Sequence, residues 1–425
     1  MERSLVDERE RCNAERQRRK EIHNTLVELR GNIRVHCRVR PVLPFDRVQS
    51  SSESSSASLE EVITAISDDT VMVTCVKSGT LGQHKMFEFE RVHGPDDSQN
   101  VVFEEVKPLL TSLLDGYNVC IMAYGQTGSG KTHTMVGSQP QRSLQGIIPK
   151  AAAELFRLIS EKPAESHTVE VSVMEVHNNE VFDLLVPDDG GLRRDVVTTS
   201  SGTSQVTSLT YKPVCNAAEV MQIIGSVLKL RAQCPTRIHA NSSRSHLIVT
   251  LTISSKSPNA AALAHACHSF DEPGASAASS SSASPCHSPC PSPSPSVSQA
   301  QFRTKLQLVD LAGSECVGMS GVSGAALWEV SCINRSLSAL ADVLGALAEQ
   351  RPHVPYRNSK LTHLLQDVIG GDAKLLLMLC VSPTQRFLTE SLHSLALGTR
   401  ARQVQKDLPR QKSATLKKKN QTGAD

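Results

Sequence analysis

The sequence predicts an α/β domain built on a central mixed, largely parallel β-sheet with helices on both faces. Three observations carry that expectation. Apolar runs of strand length alternate along the chain with longer stretches of helical period. One such run, Val119 to Ala123, leads straight into a glycine-rich loop. Another, Leu306 to Val309, ends on the carboxylate of Asp310.

Taken in order, residues 1–31 read as a single helix: Glu, Arg and Lys dominate, proline is absent, and Gly31 supplies a stop. Its heptad is apolar only at the ends. The helix is therefore expected either to self-associate weakly or to dock on the domain through Ile22, Leu26 and Leu29. Ile33–Val39, Val119–Ala123, His167–Val176, Leu247–Ile253 and Leu306–Leu311 read as strands. Helices are expected over Asn100–Leu114, Pro149–Ile159, Ala217–Leu230, Ile333–Ala348, Ser359–Ile369 and Leu388–Val404. Together these make one domain over residues 32–404.

Two stretches do not suit a packed core. Ser50–Ser58 is almost pure serine, and residues 254–301 are Ser, Ala and Pro with few large apolar side chains. Such compositions cannot offset their ordering entropy, so the second reads as a disordered insertion between two strands. Residues 405–425 read as a basic disordered tail, part of a segment, Arg400–Lys419, that carries eight basic residues against one acid.

Composition narrows the function. With 39% hydrophobic and 21% charged residues in 425, the chain has globular averages and enough length for a sizeable core. With a net charge of +2, any affinity for a polyanion must come from local clusters of basic residues, which lie at both ends of the chain; nucleic acid is not expected as a partner. No apolar run of spanning length and no leader-like N-terminus stand out, so membrane insertion and secretion are not expected. The twelve cysteines lack metal-ligand spacing; even the close pair Cys286 and Cys290 has no second pair, and all read as reduced thiols.

Gly125-Gln126-Thr127-Gly128-Ser129-Gly130-Lys131-Thr132 fits the P-loop pattern. Its glycines let successive backbone N–H groups turn toward phosphates, Lys131 neutralises the terminal ones, and the Thr132 hydroxyl ligates magnesium. Asp310, at the end of a buried strand, suits the acid that holds the magnesium shell through water, and Gly313 offers an N–H to the γ-phosphate. In Ser242-Ser243-Arg244-Ser245-His246, two adjacent hydroxyls can share metal and phosphate contacts while Arg244 pairs with an acid.

GQTGSGKT, SSRSH and DLAGSE in that order, with CRVRP (Cys37 to Pro41) ahead of them, resemble the motor domain of kinesins over about Asn32 to Val404. The entry segment Arg19 to Pro41 is similar to the kinesin-14 group, whose neck helix precedes the motor. The resemblance implies a P-loop ATPase fold that binds ATP and Mg2+, with Arg38, Arg40, Pro41 and His133 framing the adenine. Ser242 and Ser243 would form switch I, Ser243 joining Thr132 at the metal, and Arg244 would close on Glu315 around the attacking water. It further implies microtubules as partner, touched by Arg335, Arg357 and Lys360, and movement toward minus ends. It implies, too, a cytoplasmic, cytoskeletal location that extends to spindle or centrosome, with the N-terminal helix as the route to a homo- or hetero-multimer.

The chain also departs from the family pattern. His239 stands where the family has Asn, His177 where it often has Tyr, and His363 where it often has Arg. Residues 316–324 carry no basic side chain where the family usually does. These departures favour an alternative: a slow or non-motile, microtubule-binding regulatory kinesin.

Overall fold

The computed structural model describes residues 2–47, 60–75, 83–138, 141–162, 167–186, 192–200, 202–233, 244–255, 302–315, 324–370 and 373–404. The serine run, the insertion and the basic tail lie outside the described residues, apart from their margins. So do Ser242, Ser243, His239 and residues 316–323.

The strands in chain order are β1 (Ile33–Val39), β2 (Ile63–Ala65), β3 (Thr70–Cys75), β4 (Gln83–Glu88), β5 (Arg91–His93), β6 (Val119–Tyr124), β7 (His167–His177), β8 (Glu180–Asp183), β9 (Arg193–Arg194), β10 (Val196–Thr198), β11 (Ser204–Val206), β12 (Lys212–Val214), β13 (His246–Ser255), β14 (Phe302–Asp310) and β15 (Lys374–Val381). The main sheet runs β5-β1-β15-β6-β14-β13-β7-β8-β9, with β12 also on β7. It is parallel from β5 to β14 and antiparallel from β14 onward. β2, β3 and β4 form a small separate sheet, and β10 and β11 pair as a hairpin.

Both sheet faces are buried. Ile33, Val35 and Leu377 on one face pack with Leu337, Leu340 and Leu395 of the helices Ala325–Ala348 and Leu388–Arg402. Ile121, Leu376 and Val249 on the other pack with Leu109, Leu155 and Val220 of Lys107–Asp115, Ile147–Ser160 and Ala217–Gln233. This double covering is what a parallel sheet requires, because crossover connections place helices on both sides.

The five expected strands are present. β15 was not anticipated, although KLLLMLCV is buried along its whole length: a short apolar run without alternation does not distinguish strand from helix. The expected helix Asn100–Leu114 is two, Gln99–Glu104 and Lys107–Asp115, broken where Pro108 enters the first turn of the second. The helix expected from Ile333 begins earlier, at Ala325. Over Leu327–Ala348 it is long and apolar enough to cross a membrane, contrary to the reading of the sequence. Its apolarity serves packing: Val330, Ile333, Leu337, Leu340, Val343 and Leu344 are buried in the protein.

The N-terminal helix Glu2–Leu29 corrects another expectation. Ile22, Leu26 and Leu29 are not its docking face; they are 53%, 58% and 67% exposed. Docking is mostly polar. Asn24 Nδ2 donates to Asp115 Oδ2 at 3.2 Å, Lys20 pairs with Asp115 at 3.4 Å, and among the described side chains only Val27 is buried as an apolar anchor. At the helix end Lys374, 1% exposed, donates to Glu28 at 3.0 Å and Asn32 at 2.8 Å and lies 4.5 Å over the Tyr117 ring.

Candidate nucleotide site

The site sits at the carboxyl ends of β6, β14, β1 and β15, the edge where open α/β sheets hold ligands. β6 is buried throughout and delivers the chain into the loop Gly125–Thr132. Gly125 has φ +148 and Gly130 φ +101, which side chains adopt only under strain. A Cβ on Gly125 would also collide with the carbonyl oxygen of Cys380. Gln126 and Ser129 are buried, whereas Thr127 and Gly128 face outward.

Lys131 is 6% exposed and its Nζ donates to the Gln126 carbonyl at 2.9 Å. Burial holds the ammonium below its usual range, against the pull of Asp310 and Glu315. Thr132 Oγ1 donates to Asp310 Oδ2 at 2.7 Å, so the two expected magnesium-shell groups meet across 178 residues of sequence. Burial pushes the Asp310 carboxyl up, opposed by the Thr132 hydroxyl and Lys131, and its Oδ1 has no partner among the described residues. A buried carboxylate with one spare oxygen beside a hydroxyl fits a hard divalent cation, which would favour its ionised form.

Gly313 is buried against the loop, where a Cβ would meet Thr127 and the Glu315 carboxylate. Glu315 reaches over the loop: it accepts from Thr127 N at 2.9 Å and Thr127 Oγ1 at 2.7 Å. The ion pair expected between Arg244 and Glu315 is not made. Arg244 Nη1 donates instead to Glu329 Oε2 at 2.8 Å, on the first turns of Ala325–Ala348. Glu315 is turned toward the loop, where Thr127 engages both of its oxygens, while Glu329 is the acid that Arg244 meets.

Arg38 and Arg40 are buried, and both are hydrogen-bonded within the protein. Arg38 donates to Gln99 at 2.9 Å and Thr134 at 3.0 Å, beneath the helix Lys131–Met135. Arg40 grips Asp46 with both arms, at 2.6 and 2.9 Å, and its Nε donates to the Gly128 carbonyl at 2.8 Å. Both brace the loop from behind. Pro41 and His133 are exposed and remain able to frame a base.

Two devices were not singled out from sequence, although both touch the SSRSH motif. His246, 2% exposed, accepts from Ala312 N at its Nδ1, 3.0 Å away, which places the ring proton on Nε2. That proton is donated to Ser336 Oγ at 2.7 Å. One neutral ring thus joins β13, the DLAGSE turn and the helix Ala325–Ala348, and burial holds it neutral, with its pKa lowered to about 3. Beside it Ser245 donates to Glu175, and Arg231 holds both, at 3.0 Å to Glu175 and 2.7 Å to Ser245. Only the third dimension could reveal these pairings, since their partners lie 14 to 90 residues away.

The candidate partner residues lie on a different side chain set. Arg335 and Arg357 are exposed, and Lys360, half-buried, pairs with Asp195 at 3.0 Å.

A P-loop whose lysine, hydroxyl and acid converge, with a second carboxylate, Glu315, reaching over it, defines a nucleoside-triphosphate hydrolase of the P-loop class. The family profile of the kinesin motor domain matches residues 38–404. The chain belongs to that family. It is 51% identical over 427 residues to a kinesin-like protein KIF25 of Macaca fascicularis, covering 96% of this chain and 73% of that protein. It is 50% identical over 342 residues to the Homo sapiens KIF25, and 35% identical over 389 residues to the kinesin-like protein KIN-14E of Oryza sativa subsp. japonica. These cover 76% and 91% of this chain, and 89% and 31% of the respective relatives. Among solved structures, a C-terminal motor and motor homology domain of Kar3Vik1 superposes with TM-score 0.71 at 31% identity, over 94% of this chain and 93% of that one. A fast kinesin gives TM-score 0.71 at 29% identity, over 92% and 98%. The chain is therefore a kinesin motor and an ATP hydrolase.

Proposed function

We propose that this chain is a minus-end-directed microtubule motor that couples ATP binding and hydrolysis to its attachment. The observation that carries the reading is the Thr132–Asp310 contact at 2.7 Å beside buried Lys131. Gly125 to Thr132 cradles the phosphates, with Thr132 and Ser243 at Mg2+ and Asp310 behind water. Bound magnesium neutralises phosphate charge, and phosphoryl transfer needs little more than such positioning and charge stabilisation. Ser242, Arg244, Gly313 and Glu315 form the lid on the γ-phosphate: Arg244 leaves Glu329 for Glu315 as the lid closes. His133 and Pro41 border the adenine, with Arg38 and Arg40 supporting from beneath.

Arg335, Arg357 and Lys360 meet the acidic track, so attachment weakens as salt rises. Residues 1–31 act as a neck and 32–404 as the motor, with residues 254–301 a disordered insertion and 405–425 a basic tail. The exposed stripe Ile22, Leu26 and Leu29, spaced for one helical face, supports association through the neck. Microtubule attachment places the protein on the cytoskeleton, including spindle or centrosome.

Steady-state ATP turnover with and without microtubules at two salt concentrations tests the coupling, and gliding of polarity-marked microtubules tests the direction. No rise in turnover at low salt would sink the proposal. One observation favours the slower, regulatory reading: residues 316–324 carry no Lys or Arg. Microtubules that bind to a coated surface yet never glide would select it.

A further inference from the structure

The sheet face beneath the β10–β11 hairpin interrupts its core with polar side chains. Register places Ser172 of β7 beside Thr250 of β13, and Thr250 beside Gln307 of β14. Thr252, two residues on, shares that face. Their neighbours on the opposite face, among them Val171, Leu251 and Leu308, belong to an aliphatic cluster. Ser172, Thr250, Thr252 and Gln307 are 0%, 4%, 1% and 8% exposed, and Ser204 on the covering hairpin is 6% exposed. The side-chain oxygen of each has no hydrogen-bond partner among the described residues. All five line one cavity of about 40 Å3, which Leu364, Asp367 and Val368 also line.

Left unpaired, five such groups together cost as much as the whole net stability of an ordinary domain. Direct pairing is not what the fold offers them, so a ligand must. Its class follows from the lining. Hydroxyls and an amide carbonyl supply both donors and acceptors, while Lys305 and Asp367, also at the wall, offset each other in charge. Asp367 is moreover committed to Ser204 N, at 2.8 and 2.9 Å. A small neutral molecule that donates and accepts is required, and a volume of about 40 Å3 suits about two or three waters, each needing two to four polar partners.

We propose that this cavity is a hydration site, whose two or three ordered waters join the central sheet to the block above it. The block is one unit: Thr198 Oγ1 meets His363 Nε2 at 2.8 Å, Lys360 pairs with Asp195 at 3.0 Å, and Ser204 N reaches Asp367. It carries Lys360 and adjoins Arg357, while the strands beneath carry Glu175, His246 and Asp310 of the nucleotide side. A joint made through water exchanges partners when either side shifts, without leaving a buried group unpaired. The hydration stands on geometry alone; only its mechanical meaning rests on the motor reading.

A high-resolution crystal structure of the chain, together with oxygen-17 relaxation dispersion counting long-lived waters, tests it. Two or three oxygen peaks within hydrogen-bonding distance of Ser172, Thr250 and Gln307 are expected. The double variant Ser172→Ala, Thr250→Val should lose that many long-lived waters and show several-fold weaker stimulation by microtubules at an unchanged basal rate. Thr250→Ser, which keeps the hydroxyl, should keep both. A cavity without ordered solvent in the wild type, or one peak that scatters anomalously after rubidium exchange, overturns the proposal even if the double variant fails to fold. Absent stimulation in the wild type would remove the motor reading and leave the hydration count to stand by itself.

Discussion

Arg244 pairs with Glu329 at 2.8 Å, while Glu315 is held by Thr127 at 2.7 and 2.9 Å. The proposed closure moves the arginine from the acid on the helix Ala325–Ala348 to the one over the nucleotide loop. A bistable pair of this kind is how a local change of ligand becomes a shift of a whole element.

Exchange of acids predicts distinct phenotypes. Arg244→Ala and Glu315→Ala should each lower stimulated turnover by about 10²-fold or more while nucleotide affinity stays within a few-fold. Glu329→Ala should spare turnover. Trp328, the chain's single tryptophan and 65% exposed, adjoins Glu329 and should change emission when a nonhydrolysable ATP analogue binds. Equal turnover in wild type and Glu315→Ala would remove the assignment.

Asp310→Asn retains an acceptor for the Thr132 hydroxyl but removes the charge next to the cation. ATP affinity should become insensitive to magnesium, and calorimetric titration with and without the metal reads this directly. Thr132→Ala should act in the same direction.

His246 bonds with both ring nitrogens, so its substitutes should divide. Asn retains an acceptor for Ala312 N but is too short for Ser336; Ala retains neither. Stimulated turnover should fall in the order wild type, His246→Asn, His246→Ala, with basal turnover least affected. The same stimulated rate in all three would deny the residue a positioning role.

Three buried histidines set an acid limit. Burial lowers His36 to about 3, with His93 and Arg34 adding repulsion, His93 to about 4, and His246 to about 3, all from 6.5. Their folded values lie below the unfolded one, so stability is complete above pH 6.5 and is lost as pH falls from there toward 4 and 3. Each should cost about 1 kcal/mol between pH 7 and 5.5. Urea unfolding at the two pH values measures the sum, and His36→Gln should remove its share of the difference.

Lys374→Met should release the end of the N-terminal helix, since Glu28 and Asn32 both lose their donor. A loss of about 1–3 kcal/mol is expected. Amide exchange at residues 20–29 should quicken far more than at β6; uniform quickening would indicate a general core defect instead.

Much of the site was legible because its chemistry is local in sequence. Gly125 to Thr132 needs its glycines in one run to turn consecutive amides inward, and Asp310 follows an apolar strand by necessity of placement. β15 was illegible because burial on both faces erases the alternation that marks a strand. The docking of the first helix was misread for a related reason: its contact with Asp115 is polar, and an apolar stripe at helical spacing does not say whether it faces its own domain or a partner.

By itself, then, the sequence determined the layered α/β class, the nucleotide loop, the acid that faces it and the family. Tertiary structure alone decided which acid holds Arg244, how His246 spans three elements and which side of the first helix is free. The division has one cause. A loop motif is specified by adjacent residues and their backbone angles, whereas ion pairs and buried hydrogen bonds depend on the order in which distant strands and helices are brought together.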